Sequence, residues 1–234
     1  MEEAVAGEEL VSVAFSGGLD SSVVARCASR YAKVVACSAF AISSRDSETA
    51  PRAADALGLE LRTIRLNGEV VSEALGLIDL PFEPTLMDKS LWCLYAVVSR
   101  SAQESRARVM LLGQLADELF GGYAKYAKAL EQRGEDAARS MMEADFREYA
   151  QRGRVRDAGA CGGRVEPRLP FGAGPVVELA SSMPTSYMIR DGVRKAVLRR
   201  AAVMLGVPED IAWGAKKAAQ YSSGVQKLVA GSHF

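Results

Sequence analysis

At 234 residues the chain can bury the core of one sizeable domain, and 49% apolar with 25% charged residues is ordinary globular composition rather than that of a disordered chain. Lysine plus arginine and aspartate plus glutamate both number 29, so no basic excess points to nucleic acid as a main partner; only Arg147, Arg152, Arg154, Arg156 and Arg164 could form a local basic patch. The four cysteines (Cys27, Cys37, Cys93, Cys161) are scattered without a Cys-x-x-Cys pair, against a disulfide framework or a zinc site, and no apolar run has the length of a leader or a membrane span. A cytoplasmic protein that does not engage membranes is expected.

The first strand signal is Leu10-Val11-Ser12-Val13-Ala14-Phe15, and it empties into Ser16-Gly17-Gly18-Leu19-Asp20-Ser21-Ser22 before a helix over 21–31. Two glycines let the backbone approach a bulky anion. The serines add hydroxyl donors, and the helix start adds free N–H groups with partial positive charge. A Walker loop would carry a lysine here; this loop carries Asp20, which suits Mg²⁺ held against phosphate oxygens. The bland alternative is a capped glycine-serine turn. A second buried strand follows at 33–40, whose end places Ala39 and Phe40 beside the nucleotide. A helix over 48–57 stops at Gly58, and 60–66 alternates as a third strand.

Residues 67–86, with Pro81 and Pro84, read as irregular. A long helix is expected over 89–105 and a fourth strand over 108–112. Strands alternating with helices predict an α/β fold, a doubly wound parallel sheet. After the fourth strand comes Gly113-Gln114-Leu115-Ala116-Asp117-Glu118-Leu119-Phe120-Gly121-Gly122-Tyr123. Both motifs leave the carboxyl ends of strands, where ligands sit in such sheets. Asp117 would complete the Mg²⁺ coordination begun by Asp20, and Gly113 would line the nucleotide. From about Tyr123 the strand signal disappears. Helices are expected over 124–133 and 136–151, a Gly/Arg/Pro-rich loop over 153–174, and helices over 175–182, 190–205 and from 211. One domain over 1–234 is expected, an α/β core (10–122) with a mainly helical extension (123–234).

The first motif resembles the PP-loop of the ATP pyrophosphatase superfamily, whose members cleave ATP between the α and β phosphates. The second resembles the Ala-Asp-Glu-Leu-Phe-Gly-Gly-Tyr signature of the asparagine synthetase family, and further landmarks follow in that family's order. Val165-Glu166-Pro167-Arg168-Leu169-Pro170-Phe171 is similar to its Glu-x-Arg-x-Pro-Phe segment, Arg194-Lys195-x-x-Leu198-Arg199 to its Lys-x-x-Leu-Arg element, and the stretch from Lys216 to Val225 to its lysine-bearing tail. The resemblance spans roughly residues 10–226.

What the resemblance implies is an ATP-dependent amide ligase with an adenine-nucleotide-hydrolase fold. Ser16, Gly17, Gly18, Leu19, Asp20, Ser21 and Ser22 would hold ATP, with Asp20 and Asp117 on Mg²⁺. A tail lysine, Lys217 or else Lys216, would neutralise charge on the phosphates during reaction. Glu166 would take a proton from the attacking amine, the alternative being an ion pair with Arg168. Two departures bear on the acceptor. Leu112-Gly113-Gln114-Leu115 stands where the family has Ser-Gly-Glu/Asp-Gly, and Pro170-Phe171-Gly172-Ala173 where it has Pro-Phe-Leu-Asp. With Glu2 after the initiator and landmarks from residue 10, no glutaminase domain is expected. Ammonia would come free or from a separate glutaminase subunit, and a homodimer is compatible. Aspartate is the default carboxylate. The rivals are a PP-loop tRNA-modifying adenylase, which neutral charge disfavours, and a non-catalytic ATP-binding partner subunit.

Overall fold

The computed structural model describes residues 1–215 and 218–232. Five parallel strands form one sheet: β1 (Leu10–Ala14), β2 (Lys33–Ala41), β3 (Glu60–Leu66), β4 (Val109–Leu111) and β5 (Glu166–Arg168), in the order β3-β2-β1-β4-β5. Successive strand residues point to opposite faces, and both faces are covered. Val11, Val13, Val34, Ala36, Val109 and Leu111 join one apolar cluster. Val35, Cys37, Ala39, Met110 and Leu112 join another. This explains why the strands read as unbroken apolar runs instead of alternating ones.

The chain leaves β1 toward β2 and β3 on one side, while β4 and β5 lie on the other. The crevice at the carboxyl ends of β1 and β4 is therefore the switch point of the sheet. The helix Leu86–Glu104 packs on the second apolar cluster. It starts with a reciprocal cap: Asp88 N–H donates to Thr85 Oγ1 (3.2 Å) and Thr85 N–H donates to Asp88 Oδ2 (3.0 Å).

Three expected segments differ. Residues 67–86 contain a helix, Gly68–Leu75, capped by Asn67 Oδ1 accepting from the Val70 N–H at 2.9 Å. The expected loop over 153–174 holds a helix, Arg154–Cys161, and the fifth strand. Gly159 belongs to that helix because a Cβ there would meet the Trp92 ring at 2.8 Å; the glycine permits close packing and breaks nothing. Pro167 sits on an edge strand, where a missing N–H is tolerated. Finally, the expected helix over 190–205 begins as a hairpin, β6 (Ile189–Arg190) and β7 (Val193–Arg194), before the helix Ala196–Met204.

Candidate active site

The loop after β1 is shaped by one glycine in particular. Gly17 has φ +72°, and a Cβ there would fall 2.4 Å from the Thr49 carbonyl oxygen. Thr49 Oγ1 donates to the Ser16 carbonyl at 3.1 Å and so ties the helix Asp46–Leu57 to the loop. Ser21 Oγ lies 3.3 Å from Ser16 Oγ and donates to the Gly18 carbonyl at 3.2 Å. The helix Leu19–Ala28 begins at Gly18, and no side chain caps it. Its first N–H groups are thus left for a ligand, and their dipole favours an anion. The start of the second motif presses against this loop: a Cβ on Gly113 would meet Asp20 Cβ at 3.2 Å.

Between the two motifs lies a buried cation that sequence reasoning gave no role. Lys195 Nζ is 2.6 Å from Asp20 Oδ1 and 2.8 Å from Asp117 Oδ1, and its side chain is 1% exposed. Lys195 follows the β6–β7 hairpin with a left-handed backbone, φ +58°. Gly122 makes the room: a Cβ there would fall 1.6 Å from Asp117 Oδ1 and 2.4 Å from Lys195 Cε. Burial lowers the Lys195 pKa below the ordinary lysine value, with Asp20 pulling the other way. Beside them burial raises the Glu118 pKa above the usual carboxylate range, while Tyr123 donates its hydroxyl to Glu118 Oε1 at 2.8 Å. Among the described residues no cluster of three or more His, Cys, Asp or Glu could cage a metal by itself. Two carboxylates from the first turns of separate helices, completed by phosphate oxygens and water, fit Mg²⁺, which usually takes only one or two protein ligands.

These groups line a cavity of about 760 Å³, within the usual size of ligand sites. Another part of its wall is backed by a buried ionic network. Arg156, 3% exposed, donates to Asp157 Oδ1 through Nε (2.8 Å) and Nη2 (2.7 Å), and to Asp88 Oδ1 through Nη1 (3.2 Å). Tyr149 donates its hydroxyl to Asp157 Oδ2 (2.7 Å), and Gln114 Nε2 approaches the same oxygen at 3.4 Å. Removing one partner from such a network strands a buried charge and costs about 3–5 kcal/mol. The network therefore fixes Gln114 and Tyr149 against the cavity. Arg152 also faces it, stacked on the Phe82 ring at 4.0 Å.

The two departures from the resembled family pattern turn out to be neighbours. Leu115 has φ +71°, at the position where that pattern has glycine. Its side chain, 5% exposed, abuts Gly172, where a Cβ would come 3.0 Å from Leu115 Cδ1. Gly172 stands where the pattern has leucine. One leucine fills one space, supplied from the other segment.

Of the residues singled out by sequence, Ser16, Gly17, Gly18, Leu19, Asp20, Ser21, Ala39, Gly113 and Asp117 all border this cavity. Ser22 is fully buried within its helix and Phe40 packs on the first apolar cluster; neither borders it. Glu166 is placed elsewhere. It pairs with Val109 at the amino end of β4, opposite the crevice, and its 61%-exposed carboxylate is bound to Arg168 Nε at 2.8 Å. The geometry displays the ion pair with Arg168 that was the expected alternative. Lys216 and Lys217 lie outside the described residues, although their neighbours Ala215 and Ala218 border the cavity. Lys195 was signalled only by the Arg194–Arg199 element; the Asp88–Arg156–Asp157 contacts join distant segments and left no sequence pattern.

Comparison with known proteins supplies a further constraint. The asparagine synthase family profile matches residues 1–161 and 130–232. A provisional glutamine-hydrolyzing asparagine synthetase of Methanocaldococcus jannaschii is 31% identical over 259 residues, covering 96% of this chain and 48% of that protein. The asparagine synthetase domain-containing protein 1 of Mus musculus is 29% identical over 161 residues, covering 62% of this chain and 26% of that protein. The chain thus spans about half the length of the first of these relatives, and less of the second. Among solved structures, the U34-tRNA thiolase NcsA from Methanococcus maripaludis aligns at 13% identity over 99% of this chain and 75% of that chain, with a TM-score of 0.42.

Proposed function

Because this chain belongs to the asparagine synthase family, whose members use ATP, we propose that it is an ATP-dependent amide synthetase that activates a carboxylic acid as its adenylate. The observation that carries this reading is the convergence of the Ser16–Ser21 segment, Asp117 and Lys195 on one cavity at the switch point of the sheet. The loop hydroxyls and the uncapped N–H groups of the helix Leu19–Ala28 would hold the phosphates. Asp20 and Asp117 would hold Mg²⁺, which supplies counter-charge to the phosphate oxygens when bound. Lys195 places a further positive charge at the same centre, in surroundings dry enough to make it count.

The chemistry then runs in two displacements. A carboxylate oxygen of the acceptor attacks the α-phosphorus, the bond to the β-bridging oxygen breaks, and pyrophosphate leaves. An amine, most simply ammonia, attacks the acyl carbon, AMP departs with the carboxylate oxygen, and the amine gives up a proton. Holding the acid in line with the phosphorus replaces a bimolecular encounter, which contributes much of the rate. Lys217 or Lys216 would add charge stabilisation at the leaving phosphates. Aspartate is the default acceptor by family; the wall of Gln114, Tyr149 and Arg152 is the part of the cavity that would select it or another acid. Ammonia would arrive free or from a separate glutaminase subunit.

The test is pyrophosphate release from Mg-ATP with a panel of carboxylates, aspartate first, with ammonium or glutamine as nitrogen source. Release that needs both an acid and ammonium supports the proposal and names the acceptor. Release that needs tRNA instead would replace it with the adenylase reading. Tight ATP binding without turnover on any acid would leave a nucleotide-binding subunit.

A further inference from the structure

Lys195 has the least exposed side chain of any charged group among the described residues, and it occupies the gap between the two carboxylates assigned to magnesium. Three features hold it there. Its backbone is left-handed, a conformation that side chains with a Cβ avoid unless the surroundings impose it. Gly122 vacates the volume taken by Lys195 Cε and Asp117 Oδ1. The adjacent Arg194 donates through Nη1 to the Gly122 carbonyl at 2.8 Å, tying the hairpin to that glycine turn. Strain, an excavated glycine and a tether all serve one ammonium. An ammonium between two carboxylates compensates them as a divalent ion would, with half the charge.

We propose that Lys195 holds the place of the divalent cation while no nucleotide is bound. It closes the Asp20–Asp117 pair to free metal ions and yields it when a nucleotide brings phosphate oxygens, which then serve as partners for the metal and the ammonium alike. The proposal rests on the reading of the cavity as an ATP site. Metal and nucleotide would accordingly enter together, and metal alone would bind weakly although both carboxylates are within reach of solvent, at 25% and 17% exposure.

The experiment is a Mn²⁺ titration followed by electron paramagnetic resonance of the free ion, with and without a non-hydrolysable ATP analogue. It compares the wild-type chain, Lys195→Met, Asp117→Asn and Lys195→Met/Asp117→Asn, with near-UV circular dichroism to establish folding. Expected are millimolar or weaker binding to nucleotide-free wild type, and one site at least about tenfold tighter in Lys195→Met. That site should vanish in the double variant, and wild type should take up Mn²⁺ with the analogue. A tight nucleotide-free site in the wild type, abolished by Asp117→Asn, overturns the proposal whether or not Lys195→Met folds. Equal, weak affinities in wild type and Lys195→Met, with uptake alongside the analogue intact, overturn it and leave the ATP reading standing. Failure of wild type to bind analogue and Mn²⁺ together removes both.

Discussion

Leu115 and Gly172 should be energetically coupled, and the size of the coupling can be worked from their geometry. Truncating a buried leucine costs about 2–5 kcal/mol, depending on how far the site collapses. Leu115→Gly also relieves the left-handed strain at φ +71°, which returns about 1–2 kcal/mol. The net loss should centre near 2 kcal/mol. Gly172→Leu alone forces atoms into space already filled, since even its Cβ would lie 3.0 Å from Leu115 Cδ1, and overpacking costs about 1–3 kcal/mol. The double variant puts glycine where the backbone is left-handed and a leucine back into the shared space. It should recover most of both losses, a coupling of about 2–3 kcal/mol. For a chain of this size 1 kcal/mol moves Tm by about 2–4 °C, so each single variant should melt about 4–8 °C below wild type. Urea unfolding of the four proteins, with m-values compared to exclude changes in the unfolded state, measures the cycle. Effects that add to within about 0.5 kcal/mol would refute a shared space.

Other outcomes follow from the same geometry. Gly17→Ala should lose about 2–5 kcal/mol, the sum of left-handed strain and a clash with the Thr49 backbone, and should lose nucleotide binding as well. Gly18→Ala, whose Cβ would meet only Ser16 Oγ at 3.4 Å, should stay within about 1 kcal/mol of wild type in urea unfolding run beside Gly17→Ala. Because burial raises the folded-state pKa of Glu118 above its unfolded value, the native chain holds that proton more tightly, and stability falls as pH climbs from the ordinary glutamate range toward the raised value. Glu118→Gln should therefore gain stability over wild type as pH goes from about 4.5 to 7.5, with little difference at the acid end; parallel urea midpoints at both pH values would contradict this. Glu166→Gln should change adenylation less than about threefold and stability by about 0.5 kcal/mol or less, because its exposed ion pair lies away from the cavity. A tenfold loss of pyrophosphate release would return Glu166 to the mechanism.

Much of the fold was legible because parallel strands buried on both faces announce themselves as apolar runs. Those over β1, β2 and β4 place the crevice, and the glycine-rich loop and the Ala116–Tyr123 segment fall at its edge without further information. The fifth strand was illegible for a physical reason: three residues, Glu166-Pro167-Arg168, are held on a sheet edge by pairing with β4 and by no propensity of their own. The helix Arg154–Cys161 was hidden by glycines whose purpose is tertiary, as Gly159 against Trp92 shows. Within the site, the loop residues were readable because their function is backbone chemistry, set by neighbours in sequence. Lys195 was not, since a buried lysine acquires its meaning from carboxylates contributed by other segments. Arg156, between Asp88 and Asp157, is the same case elsewhere in the cavity wall.

Asp20 and the lysine that neutralises it are 175 residues apart in the chain. At about 5–20 residues per second of synthesis, a growing polypeptide would display its glycine-rich loop for about 9–35 s before that lysine is polymerised. Asp117 itself arrives only part-way through that interval, and the hairpin that presents the ammonium does not exist until its end. A ribosome-bound fragment is therefore a poor trap for phosphate-bearing metabolites, however well its first strands have paired. The centre becomes competent as a late event of translation, conferred by the carboxyl-terminal segment on a loop made long before.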